Sequence, residues 1–233
     1  MAIFYGLRLG LREVFEAYRS ATTAVYMDLG YWNRKPAKDR FGGYHKVSVN
    51  ALHPTAYLRA GHSPDRLNQI GVRLKPWRKR GEHIIVAGMS DRSAAVNGFA
   101  PEAWERRAIE EIKKHTERAI RYRPKPSWDG ARPISGTAFH RGGTDIRQYL
   151  RDCWALVTHH SNAAVDALAA GIPVYCEDGA ASLLSMPSLD HLDDPPLPGG
   201  RAEFLADLAY CQWSVPEMAS GACWDYLVGE GLV

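Results

Sequence analysis

The sequence predicts an α/β fold in two halves, the second a mainly parallel sheet flanked by helices. Three observations carry this expectation. From His83 onward, short apolar runs alternate with segments of helical periodicity. Glycine and proline fall between those segments. The stretch Ala155 to Cys176, ALVTHHSNAAVDALAAGIPVYC, reads as a complete strand, turn, helix and second strand. Such alternation implies parallel strands joined by right-handed crossovers.

The chain has 233 residues, 45% of them hydrophobic, enough for one large core or two small ones. No apolar run approaches the roughly 18 to 20 residues that span a bilayer. The stretch MAIFYGLRLGLREVF carries charge too early for a signal peptide. A cytoplasmic protein without membrane contact is the expectation. Cys153, Cys176, Cys211 and Cys223 are irregularly spaced with no CxxC pair, which argues for buried thiols and against zinc ligands or a disulfide framework, so no metal site is expected.

In chain order, Leu7, Leu11, Val14, Phe15 and Tyr18 recur at helical spacing, which predicts an amphipathic helix with its apolar stripe turned inward. Thr22 to Met27 is β-branched and apolar and reads as a buried strand ending at Asp28. Asn33 to Gly43 reads as a loop, Tyr44 to Asn50 as a second strand, and Pro64 to Ile70 as a short helix. Arg73 to Gly81 combines dense charge with Pro76 and reads as a linker. His83 to Ala87 is a buried strand that opens the second half, followed by Gly88-Met89-Ser90-Asp91.

Pro101 to Thr116 has proline near its start, acids early and Lys113, Lys114 and His115 late, which complements a helix dipole. Ala119 to Arg123 is the next strand, leading into Pro124-Lys125-Pro126. Asp145 to Asp152 reads as a short helix, Arg201 to Tyr210 as another, and Val215 to Leu227 as the last. Within Ala155 to Cys176, Ser161 or Asn162 can cap the helix, and Gly171 followed by Pro173 ends it. Its alanines leave a thin helix that can pack closely on the sheet. The helix start faces the crevice above the strand ends, a position suited to phosphate, with His159 and His160 as added donors.

Net charge is +3 but uneven. RLKPWRKR, residues 73 to 80, sets Lys75, Arg78, Lys79 and Arg80 around Trp77, and Arg34 and Lys35 stand in the loop after Asp28. A basic run enclosing an aromatic can grip a phosphate backbone and stack a base. A solvated linker has the same pattern.

The order of loops in the second half, with Thr-His-His-Ser-Asn before the helix and Gly-Ile-Pro-Val after it, resembles the donor-binding half of two-domain GT-B glycosyltransferases, particularly the capsule-polysaccharide type. The resemblance covers Glu82 to Tyr210 and is most specific from Val157 to Val174. It implies two Rossmann-like halves, the N-terminal one reduced. Residues 1–81 would be the acceptor-side α/β domain and linker, 82–212 the nucleotide-sugar-binding domain, and 213–233 a C-terminal helix packing back. It also implies a metal-independent transferase with a nucleotide sugar as co-substrate and no further cofactor.

Carried over by position, the resemblance implies that Ser161 and Asn162 meet the donor diphosphate beside His159 and His160, with Ser90 and Arg92 at the first phosphate-facing loop. Arg123 and Lys125 would neutralise the leaving group, and Glu177 or Asp178 would reach the ribose. Asp28 is the candidate base for the acceptor hydroxyl. The compact basic chain looks like the transferases that glycosylate modified bases in phage DNA, which would make double-stranded DNA the acceptor and the host cytoplasm the location. A flipped base would then leave a gap for Tyr31, Trp32 or Trp77 to fill. A polysaccharide or small-molecule acceptor, and a non-catalytic nucleotide- or DNA-binding module, are the alternatives.

Overall fold

The structure is a computed structural model that describes residues 1–7, 10–34, 42–58, 61–143 and 145–233. In chain order the elements are β1 (Ala2–Tyr5), α1 (Leu11–Ala21), β2 (Ala24–Leu29), β3 (Tyr44–Val49), α2 (Asp65–Ile70), β4 (His83–Ala87), α3 (Asp91–Val96), α4 (Ala103–His115), β5 (Ala119–Arg123), β6 (Ala138–Phe139), β7 (Cys153–Thr158), α5 (Ala163–Ala169), β8 (Val174–Cys176), α6 (Arg201–Ala209), β9 (Gln212–Ser214), α7 (Val215–Ala219) and α8 (Ala222–Gly229). They form two compact units, Met1–Val72 with Ala202–Val233, and Arg73–Arg201. The fold is thus α/β in two halves, the first reduced, and the stretch 73–81 read as a linker belongs to the second unit.

The first unit is a four-stranded sheet in the order β1-β2-β3-β9. β1 runs parallel to β2, while β2 with β3 and β3 with β9 pair antiparallel. Alternation along β2 sorts its side chains. Ala24 and Tyr26 join Phe4 and Phe15, whereas Val25 joins Val47, Val49, Trp213, Cys223 and Leu227. The helix expected from Leu7 starts instead at Leu11, because Gly6 and Gly10 take positive φ and interrupt the backbone ahead of it. Its expected inward stripe is narrower than the periodicity implied. Phe15 is fully buried, but Leu11, Val14 and Tyr18 are each 43% exposed.

The expected last helix is two. Ser214 and Glu217 form a capping box that starts α7, and Gly221, at φ 88, separates it from α8. The expected helix over 145–152 is a single 3-10 turn, Ile146–Gln148, capped by Asp145.

The second unit is a five-stranded sheet in the order β6-β5-β4-β7-β8, with every neighbouring pair parallel. On one face, register aligns Ile120, Ile84 and Ala155 in one row and Tyr122, Val86 and Val157 in the next. The α4 residues Trp104, Ile109 and Ile112 are buried in the same core. The small side chains of α5 are buried from Ala163 to Val165 and from Ala167 to Ala169, as the thin-helix reading expected. The chain lays β4, β5 and β6 outward in one direction, then returns to place β7 and β8 on the other side of β4. That reversal opens a crevice at the carboxyl ends of β4 and β7, the usual ligand position in open α/β sheets. All four cysteines are free and buried. Burial pushes the Cys153 and Cys176 thiols up to about 12.

Candidate functional site

The two strand ends at the reversal are tied together. The Thr158 hydroxyl donates to the Ala87 carbonyl oxygen at 2.7 Å, and the same hydroxyl oxygen accepts from the Ser161 N–H at 3.3 Å. After β4, the Met89 N–H donates to Glu105 Oε1 of α4 at 2.6 Å. Gly88 passes so close to α4 that a Cβ there would lie 2.9 Å from Glu105 Oε1 and 2.9 Å from Tyr122. Ser90 caps α3 by accepting from the Ser93 N–H at 3.2 Å. After β8, the Asp178 N–H donates to the His159 carbonyl at 2.7 Å, which holds that loop against the one after β7.

A polar chain runs across this edge. Ser93 Oγ lies 2.8 Å from His160 Nε2, and the two histidines meet Nδ1 to Nδ1 at 2.8 Å. His159 Nε2 is 3.7 Å from Glu177 Oε2. That carboxylate is held in turn, accepting from Trp104 Nε1 at 2.7 Å and Arg107 at 3.2 Å. His159 is buried, with Phe99 and Trp104 edge-on to its ring at centroid distances of 5.4 and 5.9 Å. Burial lowers its affinity for a proton, and Glu177 and Asp178 oppose that effect.

The architecture that holds this edge occurs in solved proteins. This chain shares its fold with two glycosyltransferase structures. One, KpsC of Thermosulfurimonas dismutans described as a beta Kdo 2,4 transferase, matches with TM-score 0.57 and 11% identity over 94% of this chain and 82% of that one. The other, KpsC of the same organism described as a beta Kdo 2,7 transferase, matches with TM-score 0.58 and 14% identity over 89% of this chain and 76% of that one. No family model matches the sequence, and no curated protein does.

Of the residues singled out from the sequence, His159, His160 and Glu177 are joined in one network, with Ser90 one hydrogen bond away through Ser93. Ser161, not Asn162, supplies the side-chain oxygen at the start of α5, accepting from the Ala163 N–H at 3.2 Å. The next N–H groups of that turn bond to the Ser161 and Asn162 carbonyls, so the helix start expected to suit phosphate has these N–H groups locally engaged. Asp178, Arg92 and Lys125 are exposed. Arg123 is buried at the end of β5, donating to the Gly143 carbonyl at 2.8 Å and lying 4.9 Å over the Tyr149 ring.

Asp28, in the first unit, accepts from the Tyr26 hydroxyl at 2.9 Å and the Leu29 N–H at 2.8 Å. Burial and that carboxylate together push the Tyr26 phenol well up. Tyr31 and Trp32 are buried there, their backbone N–H groups donating to Gln212 Oε1 at 2.7 and 3.0 Å. Arg34 donates to the Tyr31 carbonyl. Lys35 lies outside the described residues.

Lys75, Lys79 and Arg80 are exposed, but Trp77 lies 3.9 Å under the Arg201 guanidinium and Arg78 donates to the Leu150 and Cys153 carbonyls at 2.7 and 3.0 Å. Sequence reasoning missed Ser93, Trp104, Arg107 and Glu105. Only the Ser90-x-x-Ser93 spacing hinted at one of them. Among the described residues, no group of three His, Cys, Asp or Glu side chains is placed to hold a metal ion, and no helix is long and apolar enough to cross a membrane.

Proposed function

We propose that this protein is a glycosyltransferase that binds a nucleotide sugar at the carboxyl ends of β4, β7 and β8 and transfers the sugar to a hydroxyl of a saccharide acceptor. The observation that carries this reading is the Ser93–His160–His159–Glu177 chain lying at the reversal of a parallel sheet. The fold shared with two Kdo transferases supports it.

In this reading Ser90 and Arg92 border the donor from the loop after β4, and His160, Ser161 and Asn162 from the loop after β7. Lys125 supplies positive charge for the departing phosphate, where negative charge accumulates as the sugar bond breaks. Glu177 is occupied by Trp104 and Arg107, so Asp178 is the carboxylate left to meet the ribose hydroxyls. A saccharide is preferred over a DNA base because Trp77, Tyr31 and Trp32, the aromatics that would stack or fill a gap, are engaged in internal packing.

A thermal-shift panel of nucleotide sugars that includes a Kdo nucleotide tests the reading, since a ligand that binds only the folded state raises its melting temperature. One or more donors are expected to raise Tm and to release free nucleotide when a saccharide acceptor is added. A panel with no stabilising donor overturns the proposal. A donor that binds but never turns over with any acceptor makes the protein a binding module.

A further inference from the structure

The loop after β7 carries more chemistry than anion binding requires. Two neutral imidazoles that meet Nδ1 to Nδ1 at 2.8 Å must hold complementary tautomers, one donating there and the other accepting. Their outer nitrogens decide which. His159 Nε2 stands 3.7 Å from Glu177 Oε2, too far for a hydrogen bond but close enough for the charge to act. A bare lone pair on that nitrogen would face a carboxylate, whereas an N–H is attracted to it. His159 therefore carries its hydrogen on Nε2 and accepts at Nδ1. His160 then donates from Nδ1, which leaves its Nε2 lone pair to accept from the Ser93 hydroxyl at 2.8 Å.

We propose that His160 is the proton acceptor of this crevice, and that His159 and Glu177 are positioning residues that keep its Nε2 lone pair turned toward Ser93 and the ligand. This rests on the glycosyl-transfer reading and adds the group that handles the proton. An acceptor hydroxyl bound beside Ser93 Oγ displaces the Ser93 hydroxyl from the His160 Nε2 lone pair and gives its proton there. The electron pair of its O–H bond remains on oxygen, which forms the new bond to the anomeric carbon. The bond from that carbon to the donor's phosphate oxygen breaks, and its electron pair leaves on the nucleotide.

The imidazolium so formed shares its Nδ1 hydrogen with His159, and the pair titrates as one unit. The charged groups that act on His159 come from the loop after β8 and from α4. Glu177 and Asp178 after β8 favour positive charge at His159, and Arg107 of α4 opposes it. From α3, Ser93 makes the contact while Asp91 and Arg92 are exposed.

Nitrogen-15 NMR of the histidine rings in the full chain reads each tautomer without any substrate. The expected result is an Nδ1–H tautomer for His160 and an Nε2–H tautomer for His159 at neutral pH. Glu177→Gln, which keeps an acceptor for Trp104 Nε1, is expected to move the titration of the pair to lower pH, and the acid limb of the kcat profile with it. Ser93→Ala is expected to leave both tautomers unchanged, because Glu177 sets them. His160→Gln is expected to lower kcat about 100-fold, the usual scale of a lost general base. An Nε2–H tautomer at His160, or a titration unmoved in Glu177→Gln, overturns the proposal. If the tautomers and the shift appear but no nucleotide sugar is ever turned over, the transferase reading falls and His160 loses its proposed reaction, while the pairing of the rings stands.

Discussion

Gly171 lies so close to Pro76 that a Cβ built on it would sit 2.0 Å from the Pro76 carbonyl oxygen. Its φ is +74, in the left-handed region that side-chain-bearing residues adopt at a cost. Around it, the Lys75 N–H donates to the Ala169 carbonyl at 2.9 Å and the Arg78 N–H to the Gly171 carbonyl at 2.7 Å. The basic segment is thereby lodged against the end of α5. Gly171→Ala is expected to destabilise the protein by about 3 kcal/mol or more, of which the positive φ contributes about 1. Urea unfolding measures it, and an unchanged midpoint would mean that the segment does not lie there.

The same segment tests the acceptor. Arg201 stacks 3.9 Å over Trp77 and donates to the Lys75 and Leu168 carbonyls at 2.6 and 3.0 Å. Trp77→Ala is expected to cost about 1 to 2 kcal/mol through the lost stacking and packing. Replacing the exposed Lys79 and Arg80 by alanine is expected to change stability by less than about 0.5 kcal/mol. Filter binding to duplex DNA across a salt series is expected to show no dependence on those two residues. A salt slope that drops by about two in the double variant would instead make the run a phosphate contact and favour the DNA acceptor.

Glu105 gives the protein a pH dependence of predictable sign. It is buried, its Oε1 accepts from Met89, and its Oε2 has no hydrogen-bond partner among the described residues. Burial, the largest cause, raises its affinity for a proton above the ordinary carboxylate value. The folded state therefore holds this proton more tightly than the unfolded state. Its contribution to stability is present in full below the unfolded carboxylate range and is lost as pH rises through the folded value. Glu105→Gln keeps an acceptor for the Met89 N–H and removes the titration. The variant is expected to match or exceed the parent in Tm at pH 7 and to show a flatter profile of Tm against pH from 4 to 8. A parent profile already flat there would contradict the assignment.

In the first unit, Asp207 is the buried hub of a polar network. Its Oδ1 accepts from the His62 N–H at 3.1 Å and lies 2.7 Å from His62 Nδ1, while His62 Nε2 lies 3.2 Å from the Tyr226 hydroxyl. Asp207 is 2% exposed, so its removal leaves donors without water to replace it. Asp207→Ala is expected to cost about 2 to 4 kcal/mol, and His62→Ala less, because the imidazole is partly exposed. Denaturant titrations of the two variants and the double variant give the coupling directly. Strict additivity would mean that the two side chains do not interact.

Much of the second unit was legible because its strands are short, apolar and closed by glycine or proline. β4 and β5 fall at His83–Ala87 and Ala119–Arg123, the limits their composition suggested. β1 was not legible, since an edge strand with Ile3 63% and Tyr5 43% exposed buries only Phe4 and leaves a weak pattern beside the stronger helical one. β9 escaped for another reason. Its three residues are a strand only through pairing with β3, and no local signal encodes a partner so distant in sequence.

The site divides along the same line. His159, His160 and Glu177 stand out as polar residues at strand ends, where backbone direction alone points to the crevice. Ser93, Trp104 and Arg107 reach it from helices, and which helical side chains arrive there depends on packing that spacing does not reveal.

The first unit is split in sequence, with Ala202–Val233 completing what Met1–Val72 begins. Domains fold largely as units while the chain is being synthesised. The parallel sheet of Arg73–Arg201 leaves the ribosome ahead of β9, which completes the other sheet. The later-encoded half is therefore the first able to finish. Until then β3 carries an open edge, so the nascent chain is most exposed to mispairing at Tyr44–Val49.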